Sequence, residues 1–198
     1  MTAPTLETER LVLRAHQVED FPNLAALWGD PLVTRFISGV PLTPEEVWSR
    51  LLRTAGHWLL LGFGYWVVEE KATGKFLGEV GFADLKRAIE PPLGDAPEAG
   101  WVFASAAHGK GFGIEAVQAI HSWGANHFKT PGSACLIAPK IRRLFVSRRR
   151  WGIGKLRGAI IRGIRRSFYF GVGLCTQKVT KNAKTEFFNR SSQRTILI

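Results

Sequence analysis

Apolar positions divide the first 139 residues into short segments with clear periods. Arg10-Leu11-Val12-Leu13-Arg14 alternates in the way a half-buried strand does. Phe21, Leu24, Ala25 and Trp28 recur at helical spacing between Val18 and Trp28, and Gly29-Asp30-Pro31 stops that helix. A second helix is predicted from Thr43-Pro44-Glu45-Glu46, with Thr43 as N-cap, Pro44 in the first turn and Glu46 closing a capping box. Val47, Leu51 and Leu52 form its apolar side. Phe63 to Val68 and Phe76 to Phe82, joined by a turn over Lys71 to Gly74, predict a hairpin. The loop from Ala88 to Pro97 carries Pro91 and Pro92, which have no place in a central ladder, so it is expected to be exposed. Glu98 to Phe103 follows as a strand. A helix ending near Phe128 buries Ile114, Val117, Ile120 and His121, and Ala134 to Ile137 gives one more strand. Beyond Pro139 no helix or strand period is sustained; only Ile160, Ile161 and Ile164 make a short apolar face.

Between the strand at Trp101 and the helix lies Ala107-His108-Gly109-Lys110-Gly111-Phe112-Gly113-Ile114-Glu115-Ala116. Strand, glycine loop and helix start, in that order, suit a bound phosphate, because a helix N-terminus offers unpaired N–H groups and about half a positive charge. Glycines at 109, 111 and 113 permit tight turning and close approach, and Lys110 adds a mobile cation. The pattern is not G-x-x-x-x-G-K-[ST], since Lys110 lies between glycines. G-x-G-x-x-G fails as well, because Ala116 stands three residues after Gly113. The spacing alone is also compatible with a glycine-rich connection that binds nothing.

The loop H-G-K-G-F-G-I-E-A resembles the pyrophosphate loop of the GNAT superfamily of N-acetyltransferases, and most of all the branch that acetylates ribosomal-protein N-termini. Thr8 to Arg14 (T-E-R-L-x-L-R) and Asp30 to Phe36 (D-P-x-V-x-R-F) match the same family. The resemblance covers roughly Thr5 to Pro139 and implies an α/β fold, a mixed sheet with flanking helices. It further implies acetyl-CoA as co-substrate, with pantetheine pairing along Trp101, Val102 and Phe103. The pyrophosphate would lie on His108, Gly109, Lys110, Gly111, Phe112, Gly113 and Ile114. His108 stands where the family has Gln, Arg or Trp, and Ile114 where it has Thr; neither change removes a backbone N–H. His108 is expected to serve the backbone or the phosphate rather than as a base. In the family the first two helices border the acceptor cleft, though their residues suit two amphipathic helices packed on a sheet equally well; the proline-bearing Ala88–Pro97 loop is expected over the substrate entrance.

By the same resemblance an amine attacks the thioester directly. A lysine amine (pKa about 10.4) needs about 4 to 5 kcal/mol to deprotonate at pH 7, against about 1 kcal/mol for an α-amine near 7.8, so a dedicated base is optional for an N-terminal acceptor. Glu98, at the head of the cofactor strand, is the candidate base, with a solvated strand-end carboxylate as the alternative, and Glu79 is a weaker one, expected rather on a polar face. His16, His57, His121 and His127 share no metal-ligand spacing and are expected on helix faces or the surface. Ser105 has no recognisable His and Asp partners.

Composition changes this picture only at the C-terminal end. Of 198 residues, 45% are hydrophobic, enough for one core, and the net charge is +11. Met1 to Pro139 holds 11 Lys and Arg against 15 Asp and Glu, a charge of −4; Lys140 to Ile198 holds 16 against 1, a charge of +15. The chain therefore divides into a GNAT domain over 5–139 and a basic tail over 140–198. Neither a secretory leader nor a membrane span is recognisable, and Cys135 and Cys175 are isolated, so the expected setting is the cytoplasm. The family continues after its last shared strand with E-N-x-x-S-x-x-x-x-E-K-x-G-F/Y, and none of it is present, so no general acid is carried over. Yet codons exist for Lys140 to Gly163 that, given one extra G in front, read E-N-S-A-S-I-R-V-A-E-K-V-G-Y-R-E-V-A-R-G-D-Y-K-G. A frameshift near codon 140 is expected on that ground, replacing or removing the last helix and strands and leaving the chain unstable or inactive. Taken at face value, Arg148-Arg149-Arg150-Trp151 and Arg165-Arg166 instead suggest a nucleic-acid-associated protein whose front domain only binds acyl-CoA. A ligand-binding regulator without catalysis is the third reading. Nothing in the sequence fixes the acceptor or the oligomeric state.

Overall fold

The computed structural model describes residues 2–90, 95–130, 132–137, 153–161 and 168–175. Strands β1 (Leu6–Glu7) and β2 (Leu11–Arg14) lead into helices α1 (Phe21–Gly29), α2 (Pro31–Thr34) and α3 (Pro44–Leu61). The hairpin β3 (Tyr65–Glu70) and β4 (Phe76–Ala83) follows, then β5 (Ile89–Glu90), β6 (Glu98–Phe103), α4 (Phe112–His127) and β7 (Ser133–Ile137). Two strands, β8 (Ile153–Ile161) and β9 (Phe168–Cys175), come from the tail. All nine strands form one sheet in the order β1-β2-β3-β4-β6-β7-β9-β8-β5. Its ladders are antiparallel except that between β6 and β7, which is parallel and registers at a single pair, Glu98 with Ala134.

Local signals account for the helices. Thr43 caps α3 by accepting from Glu46 N–H at 3.2 Å while the Glu46 carboxylate accepts from Thr43 N–H at 2.8 Å, and Gly62 ends the helix in the left-handed region. Asp30 ends α1 and caps α2, accepting from Leu32 N–H at 2.8 Å. Val18–Asp20 forms a 3-10 turn, so the predicted first helix starts three residues late.

Two apolar layers sandwich the sheet. On one face α4 packs Phe112, Ala116, Val117 and Ile120 against Leu11, Leu13, Trp66, Val68, Val80, Phe82, Trp101 and Phe103. Three tryptophans meet there edge-on: Trp58 with Trp66 at 4.6 Å, Trp58 with Trp123 at 5.5 Å and Trp66 with Trp123 at 5.1 Å, with His127 stacked on Trp123 at 3.9 Å. On the other face Leu24, Leu27, Trp28, Val47 and Leu51 cover Val102.

The GNAT-like mixed sheet with flanking helices is thus present, and one reading of the tail is corrected. Sequence periodicity finds no strand beyond Pro139, whereas β8 and β9 pair with each other over most of their length and β9 pairs with all five residues of β7. Phe168, Phe170, Val172 and Leu174 do alternate, and the open edge of β7 supplies the hydrogen-bonding partner that such a segment needs. The edge of β7, which loss of the final strands would leave bare, is paired by β9. The arginine runs at 148–150 and 165–166, and the centre of the Ala88–Pro97 loop at 91–94, lie outside the described residues.

Candidate active site

The glycine loop occupies the gap between β6 and α4. Gly109 (φ 76°) and Gly111 (φ 82°) adopt left-handed backbone, and a Cβ at Gly109 would meet nothing within 4 Å, so its outer face is open. Gly111 is the N-cap of α4 and offers no side-chain cap, which leaves the first N–H groups of the helix for another acceptor. Gly109 and Lys110 are exposed, Gly111 and Ile114 half-buried, and Phe112 and Gly113 buried. The Phe112 ring belongs to the core, so this residue contributes backbone only.

The loop is clamped from the N-terminal strands. Arg10 donates from Nη1 to the Lys110 carbonyl at 3.0 Å and from Nε to Glu115 Oε2 at 2.7 Å. Glu115 Oε1 accepts from Thr8 Oγ1 at 2.6 Å and from Arg10 N–H at 2.9 Å. Burial pushes the Glu115 pKa upward, but these bonds and the Arg10 charge outweigh it and the net shift is down. The T-E-R phrase and the glutamate after the glycines are two halves of one clamp. His108 Nε2 donates to the Phe103 carbonyl at 2.9 Å. Ser105 donates to Asp30 Oδ2 at 3.1 Å, which ties the turn after β6 to the α1–α2 corner.

Trp101, Val102 and Phe103 are buried on β6, the first and third facing α4 and the second facing α1 and α3. Among the described residues the ladder between β6 and β7 registers only at Glu98 with Ala134. Gly100 to Phe103 is a four-residue stretch of strand, about 13 Å long.

Glu98 lies at the start of this gap with both carboxylate oxygens held by Arg87, at 2.8 Å from Nε and 3.2 Å from Nη2. It borders a cavity of about 750 Å3 formed with Ala83, Asp84, Asp95, Phe128 and Lys129. Glu79, expected rather on a polar face, is buried instead. Its side chain is 98% buried between β4 and α3, and its oxygens accept from Arg50 Nε (3.0 Å) and Nη2 (2.8 Å), Trp28 Nε1 (3.2 Å) and His16 Nε2 (3.2 Å). Burial raises its pKa, yet Arg50 and then His16 hold it down at about 2.

The acetyltransferase (GNAT) domain family matches residues 10–144. This chain belongs to the GNAT acetyltransferase family. An uncharacterised Bacillus subtilis (strain 168) protein, YkkB, is 31% identical over 144 residues, which span 70% of this GNAT chain and 79% of that protein. An acetyltransferase structure from Agrobacterium tumefaciens superposes with a TM-score of 0.71 at 24% identity, covering 89% of this chain and 96% of that one. The ribosomal L7/L12 α-N-protein acetyltransferase RimL, solved in complex with coenzyme A, has a TM-score of 0.67 at 14% identity and covers 87% and 98%. As a GNAT acetyltransferase the chain is a transferase enzyme, and no described helix is long and apolar enough to cross a membrane.

The His16 side chain, expected on a helix face or the surface, is buried, whereas His121 lies in the buried stripe of α4 as read from the sequence. His16 lies against Glu79 with its Nδ1 unpartnered, and His121 donates from Nδ1 to the Val117 carbonyl at 2.8 Å while Nε2 accepts from Ser133 Oγ at 2.9 Å. Sequence reasoning missed the cluster of His16, Trp28, Arg50, Tyr65 and Glu79. Its members come from five segments, and the only local sign was a carboxylate in an otherwise apolar strand, Leu77 to Phe82.

Proposed function

We propose that this GNAT acetyltransferase transfers the acetyl group of acetyl-CoA to a primary amine, either the α-amine of a protein or that of a small molecule, by direct attack. One observation carries the reading: the strand beside the open gap, β6, runs straight into a helix N-terminus whose glycine loop is clamped by Arg10 and Glu115. Backbone N–H groups of His108 to Ile114, with Lys110 alongside, hold the pyrophosphate. Pantetheine extends along Trp101, Val102 and Phe103 and brings the thioester to Gly100. Glu98, two residues away on the same face of β6, takes the amine proton directly or through water, its carboxylate plane fixed by Arg87. RimL, bound to coenzyme A, and the microcin C7 self-immunity protein MccE, bound to acetyl-CoA and AMP, share the fold and support this choice of donor.

A release assay for the free thiol of CoA, run against α-amino peptides and small amines with mass spectrometry of the product, tests it. Acetylated amine is expected with at least one class. Binding of CoA without acetyl transfer to any amine would overturn the catalytic reading and leave a non-catalytic acyl-CoA binder.

The same reading extends to the tail. The phrase that a one-base displacement near codon 140 restores is the part of the GNAT pattern missing here, and the charge breaks at the same place, −4 before and +15 after.

A further inference from the structure

The floor of the gap carries a phenol that the reading above does not use. Tyr65, Gly81 and Gly100 form one cross-strand row over β3, β4 and β6. Tyr65 crosses that row, and a Cβ placed on Gly100 would overlap its hydroxyl and lie 3.1 Å from its Cζ. The hydroxyl therefore fills the place of a side chain at position 100. The Tyr65 carbonyl accepts from Trp58 Nε1 at 2.8 Å, which pins the residue from behind, and the Arg50 guanidinium lies 5.7 Å from its ring centre. Among the described residues no hydrogen bond reaches the hydroxyl, while the oxygens of nearby Glu79 are taken by Arg50, Trp28 and His16. A hydroxyl without a hydrogen-bond partner near the Arg50–Glu79 and Arg87–Glu98 pairs is placed to meet a polar group from outside.

We propose that the Tyr65 hydroxyl is an acceptor-binding group that positions the incoming amine at Gly100. It rests on the amine-transfer reading. The face it occupies is that of α1 and α3, shared by Gly100 and Glu98, whose Cα atoms are about 7 Å apart along the strand. An amine between them gives one N–H to the Tyr65 oxygen and another toward the Glu98 carboxylate, which turns its lone pair to the thioester carbon. The nitrogen then forms the C–N bond as the C–S bond breaks; it sheds one proton, which Glu98 takes and passes on to the departing thiolate. Tyr65 exchanges no proton with either. Burial pushes the phenol well above its ordinary range, so it keeps its O–H throughout. The bulk of the ring also narrows the approach, which favours an unbranched primary amine over a secondary one.

The test is Tyr65→Phe, which keeps the ring and the packing. Melting temperature and CoA affinity by calorimetry should match the parent. The kcat/KM for the amine should fall about 10- to 100-fold with KM for acetyl-CoA unchanged. Gly100→Ala, which keeps the phenol but displaces its hydroxyl, should lower the amine kcat/KM as well. A parent that acetylates amines and a Tyr65→Phe variant that equals it overturn the Tyr65 assignment alone. A parent that binds CoA yet neither binds nor acetylates any amine, titrated with alanyl peptides under saturating CoA, overturns the amine reading and this role together.

Discussion

Glu79 shows how far a single residue departs from its sequence context. A carboxylate in the middle of a buried strand is costly unless it is paired, and here Arg50, His16 and the Trp28 indole surround it. Its folded pKa of about 2 lies below the ordinary 4.5, so the contribution it makes to stability is complete above pH 4.5 and is lost as the pH falls toward 2. That loss is of the order of 3 kcal/mol. Urea midpoints of the parent should decline through this window. Glu79→Gln should be less stable at pH 7 and flatter below pH 4.5; equal slopes for the two proteins would show that another group controls the acid limb. Glu79 as a weak candidate base was legible only as a charge in an apolar strand. The partner that explains it, Arg50, is 29 residues away on a helix face, a separation that periodicity cannot bridge.

Elements with local grammar were legible: the capped helix at Thr43, the β3–β4 hairpin, the glycine loop and its helix. The short strand β1 and the tail strands were not, because two residues carry no period and a segment like Phe168–Cys175 becomes a strand only when an open edge receives it. The loop's clamp divides roles between backbone and side chain, and this sets a prediction. Gly111→Val places a β-branched residue at φ 82° and should displace two or more N–H donors. Charge-assisted bonds are worth about 1.5 to 3 kcal/mol each, so CoA affinity should weaken by about two to four decades. His108→Ala, which removes one bond to a carbonyl, should matter far less. Calorimetry with CoA compares the two directly, and a Gly111→Val protein that binds like the parent removes the loop from the site.

Across the whole molecule the family and its sheet were readable from three phrases near the N-terminal half, while the far edge of the sheet was not. The codon-140 proposal makes a plain prediction about the gene. Its DNA, read one base displaced from Lys140, should spell the E-N-x-x-S phrase; a neighbouring frame without it removes the idea and leaves the basic tail as the native end. Either way, the loop and the aromatic cluster remain coupled by α4, since the helix that the glycine loop opens also carries Trp123 into the edge-on group with Trp58 and Trp66. Three indoles at 4.6 to 5.5 Å share their excited states rather than absorbing singly. The near-ultraviolet circular dichroism of this protein is therefore an optical gauge built into the fold, one whose bands report the seating of a single helix from inside the core.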